Sequence, residues 1–143
     1  FHIIDVETLE QVAEYRGKIS TQDFGNMLVN AATEWNNALL VVENANVGWA
    51  AIQSAVDRDY PNLFYSSADL SVVDTGQQLK KRYDLKTKDK MVPGFTTTSK
   101  TRPLIISKLD TYFREKACTV RSKRLIDELF VFVWNKKNKE YSL

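Results

Sequence analysis

A single glutamate ends an apolar run, and it is the residue best placed in this sequence to bind a metal ion. Residues 38–42 are all apolar, and Glu43 follows them directly. Ligand sites in open α/β sheets gather at the carboxyl ends of strands. An ionised carboxylate beside such a strand is costly unless a cation meets it. Glu43 is therefore our candidate catalytic metal ligand. The alternative is a solvated strand end, or an acid that accepts hydrogen bonds from the next helix.

The rest of the composition limits which metal chemistry is available. His2 is the only histidine and Cys118 the only cysteine, which excludes an internal disulfide and a zinc site built on several such ligands. Carboxylate chemistry with Mg²⁺ or Mn²⁺ remains. A two-metal nuclease needs several carboxylates around ions roughly 3.5 to 4 Å apart, so one glutamate is not enough. The other acids, each more typical of a solvated turn or helix face, are Asp5, Asp57, Asp69 and Asp127.

A second group of residues has the chemistry to hold phosphates. Lysine and arginine supply the sequence-independent affinity for nucleic acid, and hydroxyl donors commonly accompany them on the backbone. The alternative for any such stretch is a solvated surface. The predicted DNA contacts are Thr97, Ser99, Lys100, Arg102, Lys123 and Arg124. The three tryptophans, Trp35, Trp49 and Trp134, are assigned to the core rather than to base stacking, and the sequence has no P-loop motif.

The charges are sorted along the chain in a way that the total hides. The net charge of +2 favours neither an acidic nor a polybasic protein. Residues 1–74 carry three basic and eleven acidic residues, a net −8, whereas residues 75–143 carry seventeen basic and seven acidic residues, a net +10. The candidate metal ligand lies in the acidic half and the candidate phosphate contacts in the basic half.

The elements that must position these residues are predicted from periodicity and end signals. An antiparallel strand pair is followed by a helix that Ser20 begins, a central strand covered on both faces, a second helix containing Trp49, and a short strand. This order indicates an α/β domain with a mixed sheet. The predicted ranges are 1–6, 11–18, 21–36, 38–43, 49–59 and 62–66.

The basic half is predicted to continue with a long loop or exposed hairpin over 68–92 and an irregular hydroxyl-rich turn over 93–98. A helix over 99–115 follows, then a short strand over 117–121, a helix from Ser122 to Leu129 and an extended stretch over 130–134. The tail is expected to end without a terminating element. The residues predicted to point inward from the first of these helices are Leu104, Ile105, Leu109, Tyr112 and Phe113.

The chain is long enough for one ordinary domain, at 143 residues with 43% hydrophobic residues. No apolar run approaches the roughly 20 residues of a membrane span, and the first residues have no signal-peptide layout. We therefore predict one compact domain of a soluble, intracellular protein.

Five segments form the most specific pattern in the sequence: 38–48 (ALLVVENANVG), 60–63 (YPNL), 93–97 (PGFTT), 100–103 (KTRP) and 122–129 (SKRLIDEL). Together they resemble the C-terminal nuclease domain of tailed-bacteriophage large terminase subunits, in order and over nearly the whole chain. The resemblance implies an RNase H-like fold, a mixed sheet flanked by helices. It also implies Mg²⁺ or Mn²⁺ held by an acidic triad, of which Glu43 matches the glutamate that ends the central strand.

The function that the resemblance implies is cleavage of concatemeric viral double-stranded DNA during genome packaging, in the host cytoplasm and without a membrane. The expected partners are DNA, an N-terminal terminase ATPase domain, the portal and the small terminase. The family's first aspartate lies on a strand that would precede residue 1, and its last lies in a segment beyond Trp134. Residues 1–143 are thus expected to be one partial nuclease domain trimmed at both ends. The alternatives are a DNA-binding fragment without catalysis and a resolvase- or transposase-type core.

Overall fold

The protein divides into two compact units in a computed structural model, which describes residues 1–67, 91–135 and 140–142. Unit 1 consists of Phe1–Gly17 and Lys108–Leu143, and unit 2 of Lys18–Ser107. The prediction that residues 1–143 form one partial nuclease domain stays a prediction. Most of the predicted long loop, residues 68–90, lies outside the described residues, and so does Asp69.

Two helices form the core of unit 2. Ser20 begins the first, α1 (Thr21–Glu34), as predicted: its Oγ accepts a hydrogen bond from the Asp23 backbone N–H at 3.1 Å. The second, α2 (Gly48–Asp57), packs against α1 and ends before Tyr60, also as predicted. The buried apolar side chains of the pair are Leu28, Val29, Ala32, Ala51, Ile52 and Ala55.

Three extended segments lie beside this core in unit 2. The segment 40–44 makes isolated parallel bridges, from Leu40 to Leu63 and from Glu43 to Phe95. The other two contain the antiparallel strands β3 (Tyr65–Ser67) and β4 (Met91–Pro93). Residues 91 and 92, predicted to belong to a long loop or exposed hairpin, are part of an antiparallel strand.

The prediction of a central strand at 38–43, covered on both faces, is wrong. The segment forms only single bridges, and Leu39 and Val41 are 41% and 51% exposed while Leu40 is buried. Alternate side chains of an extended chain point to opposite faces. Only the face that carries Leu40 is therefore covered. A continuous run of apolar residues does not show whether one face of the segment or both are buried.

Unit 1 begins with the predicted antiparallel pair, β1 (His2–Asp5) and β2 (Glu10–Glu14), and Glu10 also bridges Thr119. Ser122 caps α4 (Lys123–Phe130) as predicted, since its Oγ accepts from the Leu125 N–H at 3.0 Å. The tail was expected to lack a terminating element, and this is wrong. The strands β5 (Val133–Asn135) and β6 (Glu140–Ser142) pair antiparallel there.

The remaining helix, α3 (Thr101–Arg114), forms near its predicted bounds but does not bury its predicted face. Periodicity shows which residues share a face, whereas burial requires a partner on that face. Tyr112 is half-buried. The predicted inward residues that are exposed are Leu104, Ile105, Leu109 and Phe113.

The described residues thus form a mixed α/β structure with four helices and small two-stranded antiparallel sheets. Among these helices, none combines the length and apolarity that crossing a membrane requires.

Candidate nucleic-acid interface

Glu43 lies at the end of its extended segment with its side chain exposed. The next residue, Asn44, is buried and links this end to the chain fifty residues later. Its Nδ2 donates to the Pro93 carbonyl at 3.1 Å and to Thr96 Oγ1 at 2.8 Å, and its backbone N–H donates to the Phe95 carbonyl at 2.9 Å. We call these three hydrogen bonds the Asn44 clasp. They fix residues 93–96 beside Glu43.

Gly94 lets the chain pass through this crowded point. Its φ of +85° lies in the left-handed region, which disfavours residues with a Cβ. A Cβ at this position would lie 2.5 Å from Ile52 Cδ1 and 2.6 Å from the Val42 carbonyl oxygen. Ser66, which is buried, donates from Oγ to the Gly94 carbonyl at 2.8 Å. The path of the chain after β4 therefore depends on a glycine.

The hydroxyl-rich stretch that follows is used in two different ways. Thr98 and Thr101 cap the start of α3 reciprocally: Thr98 Oγ1 accepts from the Thr101 N–H at 3.0 Å, and Thr101 Oγ1 accepts from the Thr98 N–H at 2.8 Å. Those hydroxyls serve the fold. The predicted phosphate contacts of unit 2 lie between and beside them and are all exposed: Thr97, Ser99, Lys100 and Arg102.

The two predicted phosphate contacts in unit 1 are each paired with a carboxylate. Lys123 Nζ lies 2.6 Å from Asp127 Oδ2, and Arg124 Nη2 lies 2.8 Å from Glu14 Oε2. A phosphate would have to compete with these acids. Lys123 and Arg124 are therefore weaker candidates than Lys100, although sequence alone ranks them together.

Sequence reasoning missed the group that holds the start of α4, which we call the Gln11 cluster. Gln11 is buried, and its Oε1 accepts from the backbone N–H groups of Arg121 at 2.9 Å and Ser122 at 2.8 Å. Its Nε2 donates to His2 Nδ1 at 2.7 Å. A hydrogen bond from the Ser122 hydroxyl, together with the Arg124 charge, lowers the pKa of Glu14.

The other candidate acids take the structural roles that were given as alternatives. Asp5 Oδ1 accepts from the Glu7 N–H at 2.9 Å, and Asp57 Oδ1 accepts from Gln53 Nε2 at 2.6 Å. Within the described ranges, no group of three or more His, Cys, Asp or Glu side chains is placed to hold a metal ion. Glu43 supplies one carboxylate, so the residues that the structure describes do not form the two-metal site of a nuclease.

The assignment of the tryptophans to the core is wrong for two of them. Trp35 and Trp49 are 45% and 46% exposed. Trp35 directly follows α1 and Trp49 is the second residue of α2, whereas the buried faces of these helices carry smaller side chains. Helical spacing suggested burial without indicating which side is covered. The side chain of Trp134 lies outside the described part of the chain.

Comparisons of the chain with protein-family models, curated protein sequences and solved structures each found no match. The features of the chain that bear on function are therefore its fold, the Asn44 clasp beside Glu43 and the exposed cationic start of α3.

Proposed function

We propose that this chain is part of the RNase H-like nuclease domain of a tailed-phage large terminase, a metal-dependent endonuclease that cuts concatemeric viral DNA during packaging. The observation that supports it best is the Asn44 clasp. It joins two segments of the resemblance, 38–48 and 93–97, which are separated by about fifty residues. The exposed Thr97, Ser99 and Lys100 follow within a few residues of the clasp.

The open edge of the 39–43 segment supports the finer fold assignment. Leu40 and Val42 use their backbone groups toward residues 62–64 and 95. Within the described residues, the backbone groups of Leu39, Val41 and Glu43, which face the other edge, make no hydrogen bond. An extended apolar segment with one edge unpaired among the described residues can accept a strand there. In our proposal the strand bearing the family's first aspartate pairs here, which brings a second carboxylate toward Glu43.

The proposed roles follow from exposure and charge. Glu43 contributes one ligand to Mg²⁺ or Mn²⁺. Thr97, Ser99, Lys100 and Arg102 hold phosphates of double-stranded DNA, with Lys123 and Arg124 as secondary contacts. The proposed partners are the terminase ATPase domain, the portal and the small terminase, in the host cytoplasm.

The test is plasmid cleavage with Mn²⁺, using the 143-residue chain, a version extended on both sides to the expected nuclease domain, and two variants of that version. We expect the extended protein to cut and the Glu43→Ala variant to lose cleavage. Glu34→Ala, which removes an exposed acid at the end of α1 in the same unit, should cut normally. Undiminished cutting by Glu43→Ala would show that Glu43 is not a ligand.

A DNA-binding fragment without catalysis is the second candidate, because the described residues contain no cluster of three or more His, Cys, Asp or Glu side chains placed to hold a metal ion. Salt-dependent DNA binding by the extended version, with no cleavage in Mg²⁺ or Mn²⁺, would favour it.

A further inference from the structure

The start of α2 presents a large exposed apolar surface close to Glu43. Trp49 is 46% exposed and Val47, just before the helix, is 72% exposed. The adjoining face of α2 is anchored by Ala51, Ile52 and Ala55, which are among the most buried residues of the protein. The backbone that carries Trp49 is therefore held firmly, while its ring faces outward.

The turn between Glu43 and Trp49 is compact. The Gly48 N–H donates to the Ala45 carbonyl at 2.9 Å, and a Cβ at Gly48 would overlap the Glu43 carbonyl oxygen. The chain thus folds back on Glu43 before α2 begins. Trp49 is held one residue after this contact, so its position is tied to that of Glu43.

The indole ring has no ring partner among the residues that the structure describes. The segment clasped to Asn44 continues into the exposed Ser99 and Lys100. A ligand that suits both features combines anionic phosphates with flat aromatic groups, and nucleic acid is such a ligand. Bases inside a duplex stack on each other, so a tryptophan can stack only on a base that is unpaired.

We propose that Trp49 is a stacking site for an unpaired nucleobase, next to Glu43. This inference deepens the proposed function, on which it rests. It assigns this site a preference for DNA that is locally single-stranded over an intact duplex.

The test measures fluorescence anisotropy of two labelled DNAs, a blunt duplex and the same duplex with a four-nucleotide single-stranded gap. The proteins are the 143-residue chain and its Trp49→Ala, Trp49→Phe and Trp35→Ala variants. Trp35 is the matched control, because it is equally exposed and lies in the same unit. Circular dichroism confirms that each variant is folded.

We expect Trp49→Ala to bind the gapped DNA about 5- to 150-fold more weakly, the range typical of one lost base–aromatic stack. Its affinity for the blunt duplex should stay within about twofold, while Trp49→Phe recovers most of the loss and Trp35→Ala changes neither affinity. Equal effects of Trp49→Ala on the two DNAs, or equal effects of Trp49→Ala and Trp35→Ala, would overturn the stacking site.

Two outcomes separate this inference from the proposed function. Salt-dependent duplex binding by the unaltered chain, with no loss on gapped DNA in Trp49→Ala, overturns the stacking site and leaves the proposed function standing. Failure of the unaltered chain to bind either DNA overturns both.

Discussion

The starts of α3 and α4 have the same residue types but are held in opposite ways. Each has a hydroxyl cap, Thr98 or Ser122, with basic residues beside it. The chain that leads into α3 is fixed by the Asn44 clasp and by Gly94, which leaves Lys100 exposed. The start of α4 is instead held by side chains, the Gln11 cluster and two ion pairs.

The difference between the two helix starts shows that a count of charges does not tell which basic side chains are already paired with acids. Both regions belong to the basic half of the sequence, yet Lys123 and Arg124 form ion pairs with Asp127 and Glu14. No ion pair within the described residues involves Lys100. At the start of α3 the Asn44 clasp and Gly94 position the chain without using Lys100, so that side chain stays available to a ligand.

The largest effect on stability should come from disturbing the backbone of unit 2 at Gly94. Gly94→Ala adds a Cβ to a left-handed residue, and that Cβ would collide with Ile52 Cδ1 and the Val42 carbonyl oxygen. We expect a loss of about 3 kcal/mol in the free energy of unfolding, from backbone strain and overpacking together. Urea unfolding followed by circular dichroism measures it.

The control for that substitution is Gly17→Ala, in unit 1. The nearest atoms to a Cβ there would be those at the end of the Tyr15 side chain, which can move aside. We expect a change of less than about 1 kcal/mol. Similar losses in the free energy of unfolding for the two variants would mean that position 94 does not require glycine.

The second effect, of intermediate size, is on DNA affinity and should distinguish a lysine without an ion pair among the described residues from a paired one. Lys100→Ala should weaken duplex DNA binding several-fold and reduce the slope of log affinity against log salt by about 1. Lys123→Ala should do less, because Asp127 already neutralises that charge. Asp127→Asn should strengthen binding. A salt series of anisotropy titrations tests the ranking, which fails if Lys123→Ala has the larger effect.

The smallest effect should be a dependence on pH that only unit 1 shows. Burial does most to lower the pKa of His2, and the Phe1 ammonium and the Arg124 charge also lower it, whereas Glu14 opposes them. Gln11 Nε2 donates to His2 Nδ1, which must therefore be unprotonated. A lowered pKa means that the stabilisation by neutral His2 is complete above the ordinary value, about 6.5, and is lost as the pH falls through the folded-state value.

The lowered pKa of Glu14 acts in the same direction but at lower pH, since its contribution is complete above the ordinary value, about 4.5, and is lost only below it. We expect the amide NMR signals of Arg121 and Ser122 to move between pH 7.5 and 5. Those of Asn44 and Phe95 should stay, because the Asn44 clasp contains no titratable group. The contrast between the Gln11 cluster and the Asn44 clasp is wrong if the amide signals of both groups move together.

The features that sequence predicted correctly are local ones. The hydroxyls of Ser20 and Ser122 accept hydrogen bonds from backbone N–H groups three residues later, so a short sequence pattern is enough to identify both caps. That Glu43 follows an extended apolar segment is also a local feature, although the predicted central strand does not form. Asn44 with Thr96 and Gln11 with Ser122 are separated by 52 and 111 residues, and nothing in either neighbourhood indicates the other.

The exposure of Trp49 could not be predicted for a related reason. Its spacing from Ile52 and Val56 shows that these residues lie near one another on α2, but it does not locate the boundary of the packed face. Ile52 is buried, whereas Trp49 and Val56 are exposed. That boundary is set by α1, a separate element whose packing the spacing within α2 does not encode.

The long span of the Asn44 clasp has a consequence for the order of folding. The helices α1 and α2 are close along the chain and can pack early, whereas the clasp must close a loop of about fifty residues. A nascent chain that has not yet reached Thr96 can therefore form the packed helices of unit 2 but not the surroundings of Glu43. We expect the candidate site to assemble last, on a core that is already folded.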